Sequence, residues 1–194
     1  MSEHSAVDDL QAEVSRLRLA HEATERRLRA SHAVARVLAE ETSLAKAMPR
    51  ILSSLAHALG ASLATFWVPQ DGVLVTHSLW AEERHLTAWE TSSRSCRFKP
   101  GEGLPGRVWK SRGPVWIDDI ASGERLPRDP ALRTAQIKSG FGFPVTAGNE
   151  VCGVVDLFTS SHEPADDHLV EVLRAIGGHL GQFMLHLHMQ EDLR

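Results

Sequence analysis

At 194 residues, 42% hydrophobic and 24% charged, the chain has room for one ordinary domain with a sizeable core, plus an extension. A net charge of -4 gives no electrostatic basis for nucleic acid or an anionic membrane surface as partner. No run nears the roughly 18 uninterrupted apolar residues of a membrane span and no leader pattern opens the chain. The two cysteines, Cys96 and Cys152, make no disulfide framework, so the expectation is a cytoplasmic protein.

Residues 1–40 predict one helix. Val7, Leu10, Val14, Leu17, His21, Thr24, Leu28, Ser31, Ala35 and Leu38 hold a single heptad phase among Glu and Arg, the pattern of a two-stranded coiled coil. The alternative is an amphipathic helix folding back on its own domain. Glu40 to Ser43 breaks the phase. A second helix follows from Met48, interrupted by Pro49, through Ile51, Leu52, Leu55, Ala56 and Leu59, and stops at Gly60. The period then becomes strand-like: Ala61 to Val68 and Val73 to Trp80, joined by Pro69-Gln70-Asp71-Gly72, read as a hairpin. Between Ala81 and Arg97, with Trp89 as its large anchor, we expect a short helix and then a strand ending near Phe98.

The stretch FKPGEGLPGRVWKSRGPVWIDD, Phe98 to Asp119, places two Gly-Pro clusters and a short helix between strand-like runs. Gly101, Gly103 and Gly106 spell G-x-G-x-x-G, which invites a phosphate-binding reading. That reading fails on length: only Arg107 to Ser111 can be helical before Arg112, Gly113 and Pro114, whereas a dinucleotide site needs a full crossover helix. Val115 to Asp118 follows as a strand. Asp129 is a good N-cap for a helix from Pro130 to Ile137 over a pocket mouth. Phe141 to Thr146 and Val151 to Phe158 make the last hairpin, and Pro164 opens a final helix in which Leu169, Leu173, Ile176, Leu180, Phe183 and Leu187 again share one heptad phase.

The run GEGLPGRVWKSRGPVWIDDI, followed by ALRTAQIKSGFGFPVTAGNEVCGVVDLFTSS, resembles the GAF domain family of sensory modules found as input domains of bacterial signalling proteins. The resemblance covers roughly residues 32 to 187. It implies an α/β (α+β) fold with a six-stranded antiparallel sheet, terminal helices on one face and a ligand-sized pocket on the other. Domains are drawn accordingly: 1–40 a coiled-coil helix, 41–187 the sensory domain, and 164–194 a last helix running on as a signalling helix.

The family's specialised branches fit poorly. Bilin-binding members carry Cys followed by His, but Cys96 precedes Arg97 and Cys152 precedes Gly153. Haem-binding members carry a histidine where this chain has Arg94 to Arg97, the cyclic-nucleotide constellation N-K-F-D-E is absent, and two dispersed cysteines do not supply the cluster used to reduce methionine sulfoxide. No histidine or cysteine spacing offers a metal site. Phe66, Trp80, Trp116, Phe141 and Phe143 are candidate apolar pocket walls, with Cys96, Asp118 and Arg133 as candidate reactive or polar groups. The helical stripes nominate Val7, Leu10, Val14, Leu17, Leu28, Leu180, Phe183 and Leu187 as dimer contacts.

The expected function is a non-enzymatic input module that senses a small molecule, with no cofactor named. As a homodimer it would relay the signal through coiled-coil helices to a C-terminal output domain such as a histidine kinase or cyclase in a two-component system. The alternatives are a dimerisation module without ligand and a haem- or bilin-type sensor.

Overall fold

A computed structural model describes residues 2–120, 128–162 and 166–192. Helices α1 (Ser2–Glu40) and α2 (Leu44–Leu59) precede a hairpin of β1 (Leu63–Gln70) and β2 (Val73–Ala81). Then come α3 (Leu86–Ser95), α4 (Gly103–Ser111), β3 (Val115–Ile117), α5 (Asp129–Thr134), the hairpin of β4 (Ser139–Ala147) and β5 (Glu150–Thr159), and α6 (Asp167–Asp192). Five antiparallel strands lie in the order β2-β1-β5-β4-β3.

Local chemistry accounts for the boundaries. Gly60 ends α2 in the left-handed region (φ 69°), and its amide donates to Ala56 O. Asp71 and Gly72, both at positive φ, form a two-residue turn that matches the strand twist. The sixth strand expected near Phe98 is only a bridge. Phe98 exchanges both backbone hydrogen bonds with Leu74, at 2.8 and 3.2 Å, but Pro100 has no amide to continue a ladder and Gly101 turns the chain away. Helix α5 begins one residue earlier than expected, with Arg128 rather than Asp129 as its N-cap, and stops at Thr134. The expected opening of α6 at Pro164 lies outside the described residues.

The helix expected from Arg107 begins four residues earlier, at Gly103, so the glycine motif is excluded as a phosphate site by its backbone bonding rather than by helix length. Gly101 and Gly103 sit at φ 92° and 57°, and a Cβ on Gly106 would lie 2.2 Å from Lys99 O. The turn closes on itself, Gly101 N donating to Gly106 O at 2.6 Å, so these amides hold their own chain.

Alternation along each strand makes two cores. One face of the sheet points Ala64 and Phe66 from β1, Phe141, Phe143 and Val145 from β4, and Val155 and Leu157 from β5 at α1, α2 and α6. The other points Leu63, Trp67, Val154 and Phe158 at α3, α4 and α5, through Trp89, Leu104, Val108 and Leu132. In SGFGF the phenylalanines face the helices and the glycines face away. A Cβ at Gly140 would lie 2.6 Å from the Phe158 ring and one at Gly142 2.9 Å from Val108, so their absence lets α4 lie against the sheet.

Helix α1 carries two stripes. Ala30, Val34 and Val37 are buried against the domain. These are the expected seam shifted by one residue, about 100° round the helix. Leu28 is thereby turned outward, 55% exposed, and with Val7, Leu10, Val14 and Leu17 it leaves the coiled-coil stripe open to solvent. Arg27 pairs with Asp166 at the head of α6, which holds that carboxyl below the usual range despite partial burial.

Helix α6 corrects the dimer assignment at its upper end. Leu180 is fully buried in its own chain, with Leu173 and Ile176, and Phe183 packs against the same core. The heptad phase is real, but its partner there is β4. Leu187 is only half-buried and lines a cleft.

Candidate functional site

Asp156 stands in the middle of β5, opposite Thr65 of β1 and Gly142 of β4, and strand alternation aims it at the second face. It is fully buried there, and so is its partner, the Arg128 guanidinium, which donates through Nη2 to Asp156 Oδ2. Arg128 Nη1 reaches Thr65 Oγ1 at 3.5 Å.

Four aromatic rings enclose the same guanidinium, its central carbon lying 4.4 Å from the Trp89 centroid, 4.9 Å from Trp67, 5.0 Å from Phe158 and 5.5 Å from Phe98. The rings brace one another edge to face, Trp67 on Phe98 at 5.0 Å and Trp89 on Phe158 at 5.5 Å. This is a closed chamber for a planar cation: negative ring faces around it and one carboxylate at its end.

Burial pushes the Asp156 carboxyl above the usual carboxylate range, and Arg128 pulls it partway back. Trp67 and Thr65 stand near enough to favour the charged form, yet Asp156 Oδ1 and Trp67 Nε1 are both buried without a hydrogen bond of normal geometry. The chamber thus holds more hydrogen-bonding capacity than Arg128 uses.

The sequence-nominated pocket residues do not meet here. Phe66, Phe141, Phe143, Trp80 and Trp116 all belong to the opposite, helix-covered face; Trp116 stacks on Phe141 at 4.5 Å, and Trp80 meets His57 of α2. One residue of strand phase separates them from the chamber aromatics. Asp118 and Arg133 are exposed. Cys96 does pack at the second face, half-buried, within electrostatic reach of both Arg128 and Asp156.

The signal that would have found the true pair is Asp156 itself. A carboxylate inside the apolar run Val154-Val155-Asp156-Leu157-Phe158 needs a buried cation, and Arg128 stands at the start of α5, one of the helices on that face.

The two thiols lie on opposite faces of the sheet, and burial pushes both above their ordinary range. Cys152 donates weakly to Val145 O at 3.3 Å. Native labelling near neutral pH should therefore be slow at both, while denatured chains titrate as two thiols. Rapid native reaction at Cys96 would contradict this assignment. Unlike the chamber, which Arg128 fills, a cleft of about 570 Å³ opens on the helix side between the start of α2 and the end of α6, and includes Leu44, His77, Met184 and Leu187.

Terminal helices on one face of a five-stranded antiparallel sheet, with short helices closing a chamber on the other, define the GAF architecture. The chain belongs to the GAF domain family, whose sequence model matches residues 41–184. It is similar to the Nif-specific regulatory protein of Herbaspirillum seropedicae, 28% identical over 94 residues, and to the Anthocyanin regulatory Lc protein of Zea mays, 33% identical over 96. Those matches cover 46% and 48% of this chain but 17% and 15% of the relatives.

Among solved structures, the GAF domain of a phosphoenolpyruvate-protein phosphotransferase from Coxiella burnetii has a TM-score of 0.72 at 17% identity, covering 86% of this chain and 97% of that one. The A. aeolicus nlh2 GAF domain in an inactive state gives 0.66 at 18%, covering 82% and 95%. The free methionine-R-sulfoxide reductase of Neisseria meningitidis, in complex with its substrate, gives 0.65 at 17%, covering 81% and 87%. The fold therefore serves regulators and at least one enzyme. Among the described residues no helix is long and apolar enough to cross a membrane.

Proposed function

We propose that the chain is a non-enzymatic regulatory input module whose chamber senses a small molecule and whose terminal helices carry the result to an output domain. One observation carries this reading. Asp156 faces the chamber, while its neighbours Val155 and Leu157, on the same central strand, lie under the helices. Anything that moves the chamber side of β5 moves the floor on which α1, α2 and α6 sit, and a ligand favouring one arrangement shifts the population by its differential affinity. The non-enzymatic reading is supported by the two thiols lying on separate faces of the sheet, where they do not form a reactive pair.

In this reading the module is a parallel homodimer. The open stripe of Val7, Leu10, Val14, Leu17 and Leu28 is the seam, and the residues of α6 beyond the buried Leu180 continue toward the output. Light scattering at tens of micromolar should give twice the chain mass, and Leu10→Asp with Leu17→Asp should give a monomer whose domain still melts cooperatively. A wild-type monomer, or a dimer indifferent to both charges, would refute the seam. In a fusion to an output domain, four residues inserted after Leu187 should abolish or invert regulation and seven should restore it. Equal regulation in both would sink the helical relay.

A further inference from the structure

We propose that the chamber's ligand is itself a small planar cation of the guanidinium type, and that Arg128 is a tethered stand-in occupying its place. The inference rests on the reading of the chamber as the sensing site and names its ligand class.

The surroundings match that chemistry on every side. Four aromatic rings lie within 4.4–5.5 Å of the guanidinium carbon, a distance at which ring faces attract a cation. A single carboxylate closes one end, and no second acid is needed for one unit of charge. An anion would meet the negative ring faces and Asp156, and a neutral ligand displacing Arg128 would leave that carboxylate buried and unpaired. One unused acceptor, Asp156 Oδ1, remains beside the guanidinium, so a free cation seated differently has a hydrogen bond to gain that Arg128 does not make.

The tether explains how occupancy could be reported. Arg128 is the N-cap of α5, whose Leu132 is fully buried in the second-face core. A free cation that takes its place must move the guanidinium out, and with it the start of α5. Arg128 competes as an intramolecular ligand, so a soluble cation binds the intact chain more weakly than a chain lacking that side chain.

Cavity complementation tests this. The full chain bearing Arg128→Ala is titrated with methylguanidinium chloride in the low millimolar range, with sodium chloride at matched ionic strength as control, and thermal unfolding is followed. The expected result is a rise in midpoint of several degrees that sodium chloride does not give, that is lost in Arg128→Ala/Asp156→Asn, and that needs at least about tenfold more methylguanidinium in the wild type. If Arg128→Ala is unfolded alone, the same titration is read as recovery of the helical circular dichroism signal. A response no larger than that to sodium chloride, an equal response in the double variant, or a wild type responding at the same concentration overturns the proposal. The sensing reading is judged separately. Rescue by methylguanidinium with an unchanged wild-type dimer constant at saturation would leave the cation site standing and sink the relay. An uncharged compound that changed the dimer without any cation rescue would do the reverse.

Discussion

Arg128→Ala should lower the unfolding free energy by about 3–5 kcal/mol, because it strands a fully buried carboxylate and empties a cage of four rings. For a chain of this size that corresponds to roughly 6–20 °C in midpoint. The loss should shrink when Asp156→Asn is added, since the amide carries no charge to desolvate. It should also depend on pH with a definite sign. Burial raises the folded carboxyl above its unfolded value, and without Arg128 only the weaker pull of Trp67 and Thr65 opposes that rise. The folded variant then binds more protons than the unfolded chain, so its stability is greatest in acid and is lost as pH rises through the elevated folded value. Chemical denaturation from about pH 8 down to about pH 4, the span below which the unfolded carboxyl is also protonated, should show Arg128→Ala converging on the double variant. Parallel curves would mean that Asp156 is not the group left behind.

A second large effect is expected where α6 meets the sheet. A Cβ at Gly181 would lie 1.9 Å from Thr146 O and one at Gly177 2.1 Å from Pro144 O, and both obstacles are backbone atoms of β4. The helix gains up to about 1 kcal/mol from each Gly→Ala change, whereas overpacking of this kind costs about 1–3 kcal/mol. The clash wins, because neither partner is the far end of a side chain. Gly181→Ala should therefore destabilise by about 1–2 kcal/mol, with Gly177→Ala close behind. Gly178 is the control: its Cβ would meet nothing within 4 Å, so Gly178→Ala should stabilise by up to about 1 kcal/mol. Denaturant unfolding of the three variants reads the signs directly. If all three were stabilising, α6 would not lie flush on β4. The same contact suits a relay, since a helix seated backbone to backbone follows any shift of its strand.

Local signals proved reliable where backbone chemistry is self-contained. Gly60 ends α2, Asp71-Gly72 turns the first hairpin, and the exclusion of a dinucleotide site at Gly101, Gly103 and Gly106 agrees with amides that close on their own turn. Heptad phase was equally visible on both terminal helices, yet it did not say what each stripe meets. On α6 the stripe through Leu180 meets β4, and on α1 a stripe displaced by one residue is the one that packs. Periodicity records that a face is apolar, and the partner is a matter of which surfaces the fold brings within reach.

The chain's residues alone therefore determined the terminal helices, the two hairpins, the turn glycines and the membership of the GAF family. Only the tertiary structure decided which face of the sheet holds the chamber. A strand's side chains alternate, so Phe66 and Trp67, or Phe141 and Gly142, exchange roles if the sheet is covered from the other side. It alone also joined Arg128 to Asp156 across 28 residues, because a buried charge demands an opposite charge without saying where in the chain to find it.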